Sequence, residues 1–152
     1  MPLKVFSSAF SDGGWIPDLL TCQGADVSPS LEWTGEPPET RSFALILDDP
    51  DAPGGVWVHW LLYDIGSRVH NLAQGQRPGS LGVSGQNSWG KPGYGGPCPP
   101  KGHGPHRYFF RLYALDVPTL GLAPGASRDQ LQHAMKGHVL GEAQSMGRYE
   151  RK

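Results

Sequence analysis

The chain has 152 residues and a mass of 16.4 kDa, the size of one ordinary domain, so residues 1–152 read as a single unit able to bury its own core. Thirteen basic against 14 acidic side chains leave a net charge of −1, which argues against nucleic-acid binding by bulk electrostatics and against a polybasic membrane anchor. No apolar run approaches the ~20 residues of a membrane span, and Met1-Pro2-Leu3-Lys4-Val5-Phe6 lacks a signal-peptide core, so the expectation is a cytoplasmic protein without stable membrane insertion. Cys22 and Cys98 are too few for a disulfide-dense scaffold. They could form one bridge, but two thiols in a reducing compartment are expected. The 22 glycines and 15 prolines are roughly twice the usual share, yet five each of Trp, Tyr and Phe argue against disorder. Much turn on an aromatic, β-branched framework indicates an all-β domain.

In chain order, Leu3–Phe6 and Leu31–Trp33 are short apolar pieces between turn clusters such as Ser11-Asp12-Gly13-Gly14 and Gly35-Glu36-Pro37-Pro38, and read as short strands. Ser42–Leu47 is a compact apolar run stopped by Asp48-Asp49-Pro50-Asp51-Ala52-Pro53-Gly54-Gly55. Val56–Ile65 has ten residues without Gly or Pro and is too continuous for a one-sided strand, so it is read as a buried central one, partnered by Tyr108–Leu115. Between them, half of Gln74–Pro105 is Gly or Pro, a loop long enough to imply function, and it carries Trp89, Tyr94, Lys101 and His103. Ser127-Arg128-Asp129-Gln130 is a capping box. Leu131, Ala134, Met135, His138 and Val139 follow at helical spacing, and Gly141 can end the helix. Glu142–Glu150 is expected as a last strand.

Three segments carry candidate chemistry. Asp49-Pro50-Asp51-Ala52-Pro53 follows a buried strand, and its prolines freeze the backbone that presents two carboxylates; binding amides of their own turn is the plainer role for those side chains. His59 lies within Trp57-Val58-His59-Trp60, where strand alternation puts Trp57, His59 and Leu61 on one face and Val58 and Trp60 on the other. A buried histidine needs partners for both ring nitrogens, whether or not it has a function. The third segment, Gly96 to Tyr108, leads into the second core strand. There His106 and Tyr108 face one way and Arg107 the other, toward an expected carboxylate. A rim of Asp49, His59, His106 and Tyr108 would offer imidazole and phenol groups beside a carboxylate, suited to a small anion. Sharper motifs fail. Gly85–Lys91 has phosphate-loop spacing, but Pro92 stands where Ser or Thr is required; no G-x-S-x-G elbow exists; and His103-Gly-Pro-His106 does not form a helical metal pair, so no metal and no cofactor are expected.

Taken together and in this order, Asp49-Pro-Asp-Ala-Pro53, Trp57-x-His59-Trp60 and Pro99-Pro100-Lys101-Gly102 with His106-Arg107-Tyr108 resemble the phosphatidylethanolamine-binding protein family, and within it the bacterial and archaeal Raf kinase inhibitor-like branch. The resemblance runs from Phe6 to about Tyr149. It implies an antiparallel Greek-key β-sandwich with a second small sheet and few helices. It also implies an anion pocket lined by Asp49, His59, Pro99, Pro100, His106 and Tyr108, with Asp51, Ala52, Pro53 and Trp57 shaping its wall. The extra C-terminal helix of animal members is not expected here, so the resemblance does not imply kinase regulation.

The expected function is therefore binding of a small anionic or phosphorylated ligand, such as phosphate, a phosphoethanolamine-type headgroup or a carboxylate, without catalysis. An alternative is a protein-interaction regulator that inhibits a kinase or protease through the 74–105 loop. A hydrolase or a metal site using His106 and Asp49 is weaker still: the hydrolase lacks a nucleophile, and a zinc site would have to add His59 and Asp49 to the His103–His106 pair. An exposed strand edge leaves a homodimer open.

Overall fold

Side-chain alternation along the buried strands sorts the apolar residues into two layers. A computed structural model of the chain describes residues 2–77 and 80–152, so Pro78 and Gly79 of the long loop lie outside the described residues. Its elements are β1 (Lys4–Phe6), β2 (Leu31–Thr34), β3 (Ser42–Asp49), β4 (Trp57–Gly66), β5 (Asn71–Leu72), β6 (Val83–Ser84), β7 (His106–Leu115), α1 (Arg128–Met135) and β8 (Val139–Tyr149). They form two antiparallel sheets, one of three strands in the order β1-β2-β5 and one of five in the order β6-β4-β3-β7-β8. The mostly-β architecture with one helix is the fold class expected from the sequence.

β3 is the axis of the larger sheet and is buried at every position. Phe43, Leu45 and Leu47 point into the sandwich, where they meet Leu31 and Trp33 of the small sheet and Tyr108, Phe110 and Leu112 of β7. Ala44 and Ile46 point the other way and pack with Leu131 and Met135 of α1. A strand covered on both faces has no polar positions to spare, which is why Ser42–Leu47 reads as a continuous apolar run. The expected pairing of the Val56–Ile65 run with Tyr108–Leu115 is corrected: β3 lies between β4 and β7 and pairs with both.

The helix is also shorter than its side-chain spacing implies. Ser127 Oγ accepts from the Gln130 amide and Gln130 Oε1 accepts from the Ser127 amide, completing the capping box. At the other end, Gly137 takes φ +84° and stops the helix four residues before Gly141, so Val139 already begins β8. Among the described residues, no helix is long and apolar enough to cross a membrane.

The two cysteines are not free thiols. Cys22 and Cys98, 76 residues apart, are joined in a disulfide with Cα atoms 5.4 Å apart. The chain segments bring them together. The Cys22 amide donates to the Pro97 carbonyl (3.1 Å), the Gly96 amide to Asp26 Oδ1 (2.8 Å) and the Tyr94 hydroxyl to the Leu20 carbonyl (2.7 Å). A Cβ at Gly96 would strike the Leu20 carbonyl oxygen and the Asp26 carboxylate, so only glycine permits this approach. Closing so long a loop removes freedom mainly from the unfolded chain. Reduction is expected to lower the unfolding free energy by roughly 4 kcal/mol, read from urea denaturation of the oxidised and reduced protein; coincident midpoints would contradict it.

Candidate functional site

The polar residues singled out in the sequence gather where β3 ends and β7 begins. β3 and β7 pair from Ser42 opposite Leu115 to Asp48 opposite Phe109, and the next step along the seam is made by side chains. Asp49 Oδ2 accepts from His106 Nδ1 at 2.7 Å, and both side chains are almost fully buried (4% and 2% exposed). The other carboxylate oxygen, Oδ1, accepts from the Asp51 amide (2.8 Å), so Asp49 serves its own turn and the buried pair at once. His106 Nε2 lies 2.6 Å from Nδ1 of His103, whose ring is exposed at the surface. A buried carboxylate is thus connected to solvent through two imidazoles.

Strand alternation on β7 sets the rest of this edge. Tyr108 faces the same way as His106, while Arg107 turns outward and clamps Asp51 with its backbone amide, Nε and Nη2, each at 2.9 Å. This supplies the carboxylate expected for Arg107. Asp51, expected to shape the pocket wall, pairs with Arg107 and is not among the residues that line the cavity described below. The hydrogen bonds from Arg107 hold the Asp51 carboxyl below the ordinary aspartate range.

His59 reaches the site through a β-bulge. Leu47 of β3 stands opposite Trp60 and Asp48 opposite Val58, leaving His59 as the extra residue of β4. Simple alternation therefore fails on this strand: Trp60 packs into the sandwich and Leu61 joins Val58 in the outer layer. The bulged residue is gripped by the long loop. His59 Nδ1 donates to the Gly95 carbonyl (2.7 Å), and the Gly95 amide donates to the His59 carbonyl (2.9 Å). Because a carbonyl only accepts, Nδ1 carries the proton. Burial lowers the His59 pKa, opposed by the Gly95 hydrogen bond and the nearby Asp49 charge, which favours the neutral ring with Nε2 as its acceptor nitrogen.

These groups border a cavity of about 290 Å³. Asp49, His59, His106 and Tyr108 form its polar side, and Ala52, Pro53, Trp57, Pro99 and Pro100 its apolar side. Cys98 and Trp89 complete the wall. Both lie in the long loop, where an aromatic among glycines and prolines was the signal of order. Trp89 stands edge-on to His59 (5.0 Å between ring centroids) and to Trp57 (5.4 Å), and its amide donates to Asn87 Oδ1. A Cβ at Gly95 would run into the Trp89 ring, so a larger residue here displaces that indole from its place beside His59.

Tyr108 is fully buried and its hydroxyl has no hydrogen-bond partner. Burial, and then the adjacent Asp49 charge, push the phenol well above the ordinary tyrosine range, so it stays an O–H donor, although it makes no hydrogen bond to that carboxylate. Among the described residues, no three His, Cys, Asp or Glu side chains are grouped to hold a metal ion.

The depressed His59 pKa has a consequence for stability. The unfolded chain takes up a proton on this ring near pH 6.5 while the folded chain resists, so stability is intact above that pH and is lost as pH falls below it. In His59→Gln, urea midpoints between pH 7 and 5 are expected to fall less steeply, by up to one proton's worth of slope; an unchanged slope would contradict the neutral assignment.

A family model described as "Phosphatidylethanolamine-binding protein" matches residues 6–150. A UPF0098 protein of Methanothermobacter thermautotrophicus is 51% identical over 153 residues, covering 98% of this chain and 99% of the relative. The crystal structure of CT736, a phosphatidylethanolamine-binding protein homolog from Chlamydia trachomatis, superposes with a TM-score of 0.92 at 41% identity, covering 99% of each chain. E. coli YBCL, described as a member of the mammalian PEBP family, gives a TM-score of 0.92 at 32% identity over the full length of both. With one sandwich, one family model across nearly its whole length and such relatives, the chain belongs to the phosphatidylethanolamine-binding protein family.

Proposed function

We propose that this protein is a binding protein that takes a small oxyanion, as phosphate, a phosphoethanolamine-type headgroup or a carboxylate, into the cavity between Asp49, His59, His106 and Tyr108. The observation that carries the reading is the Tyr108 hydroxyl, a fully buried donor without a partner on a residue that lines the cavity. Leaving such a group unsatisfied costs about 1–3 kcal/mol, and an acceptor oxygen in the cavity would recover it. The volume of about 290 Å³ suits a headgroup-sized ligand better than a drug-sized one. The family's description as phosphatidylethanolamine-binding supports the same class of ligand.

A hydrolase is the weaker reading because Asp49 and His106 supply acid–base groups while the cavity wall offers no nucleophile: its cysteine, Cys98, is bonded to Cys22. We do not extend the proposal to kinase or protease inhibition through the 74–105 loop, since Trp89 and Cys98 of that loop form part of the cavity wall and Gly95 holds the His59 ring. The disulfide supports residence where thiols oxidise, or in a hyperthermophile's cytosol, over an ordinary reducing cytoplasm.

Calorimetric titration of inorganic phosphate and phosphoethanolamine tests the reading. Tyr108→Phe is expected to weaken binding by roughly ten- to a hundredfold, as for a hydrogen bond to a charged group. The same variant should be as stable as the parent or more so, because it deletes an unsatisfied polar atom. His106→Ala should weaken binding, and Asp49→Ala should too, because the loss of the carboxylate that orients His106 outweighs the relief of its repulsion of the anion. Undiminished affinity in both of these would sink the proposal.

A further inference from the structure

An anion entering the cavity meets a shortage of donors. The His59 proton is spent on the Gly95 carbonyl, and the His106 Nδ1 proton on Asp49. His106 Nε2 is occupied by His103, and no Lys or Arg lines the wall. The Tyr108 O–H and the indole N–H groups of Trp57 and Trp89, all uncharged, are then the free side-chain donors on residues lining the cavity, set against the His59 ring and a buried carboxylate. A negative ligand placed beside Asp49 in a low-dielectric wall is repelled unless positive charge arrives with it.

The hydrogen-bonded chain shows where that charge can go. Counting protons from the buried end, the Asp49 carboxylate accepts from His106 Nδ1–H, and His106 Nε2 accepts from His103 Nδ1–H. The remaining lone pair, His103 Nε2, belongs to an exposed ring. A proton added there costs little desolvation, and it can be shared inward because the two rings are 4.8 Å apart between centroids. A proton on His59 would instead be charge on a ring that is 3% exposed. The other charged and titratable groups around the chain do not substitute for this path. From the acidic turn and β7, Asp51 and Arg107 neutralise each other. From β8, Tyr149 stands opposite His106 with its hydroxyl on Asp18, and beyond it Arg151 donates to the Pro99 carbonyl (2.6 Å). On the 99–105 loop, Lys101 is exposed and lies outside the cavity wall.

We infer that anion binding in this cavity takes up one proton from solvent, accepted at His103 Nε2 and held on the His103–His106 pair, so that His103 is the positioning residue that sets the charge the cavity accepts. This rests on the anion-binding reading above. It specifies the ligand class further: oxyanions are bound together with a proton, and affinity falls as pH rises. No bond other than the new N–H is made, and the proton comes from the buffer.

The test is isothermal titration calorimetry at one pH in two buffers of different ionisation enthalpy, using inorganic phosphate and dimethyl phosphate. The second anion keeps a single charge near neutrality and brings no proton of its own. The wild-type protein should take up close to one proton per dimethyl phosphate bound, and its affinity should fall toward tenfold per pH unit across the titration range. His103→Asn keeps an N–H for His106 Nε2 but has no basic nitrogen; its uptake should fall near zero and its affinity should become flat with pH. Uptake seen with phosphate alone would assign the proton to the ligand and overturn the inference. Uptake that persists in His103→Asn would overturn it too. Failure of the wild-type protein to bind either anion at any pH would instead remove the anion-binding reading, and the inference with it.

Discussion

The hydrogen bond between Asp49 and His106 is the contact on which the candidate site depends. It continues the β3–β7 seam past the last backbone pair and puts a carboxylate and an imidazole inside the protein at the end of the sheet. Neither group could be left there alone, since a buried charge or lone ring nitrogen without partners is strongly disfavoured. Each satisfies the other, and the remaining valences are taken by the Asp51 amide and by His103. With His106 held in this orientation, the two-residue period of β7 turns Tyr108 to the same side and Arg107 to the other, where it clamps Asp51.

The rest of the site is a matter of bracing. β3 is enclosed by apolar layers on both faces, so the strand that ends in Asp49 has little freedom to shift. The long loop is tied to the Leu20–Asp26 segment by a disulfide and three hydrogen bonds, and it holds His59 by both its ring and its backbone. Prolines 53, 99 and 100 stiffen the apolar wall. A cavity built this way binds with little ordering cost, which favours affinity from few contacts.

How much of this was legible in the sequence differs from residue to residue. Period-two alternation was enough to put His106 and Tyr108 together and to give Arg107 a carboxylate, because β7 is regular along that stretch. The same rule failed on β4: a bulge is an extra residue in the strand pairing, and no local signal in Trp57-Val58-His59-Trp60 marks it. The resemblance implies Asp51 as part of the pocket wall, while the side chain itself turns to the nearest cation, Arg107. The helical spacing continues through His138 and Val139, while the stop is carried by Gly137, two residues after the last helical one. The cysteines, 76 residues apart, are paired by tertiary proximity, to which spacing is blind. Trp89 was visible as an aromatic in a glycine-rich loop, but its station beside His59 came from the fold.

The central claim is that this cavity is a site for a small oxyanion organised around the buried histidines and Tyr108. The most direct measurement is an NMR titration of the protein with inorganic phosphate, following the imidazole nitrogen resonances of all six histidines. The account predicts that His59, His103 and His106 shift together and saturate at one common concentration, while His70, His133 and His138 stay in place. Saturable shifts confined to the latter three, or no response from any histidine, would contradict it.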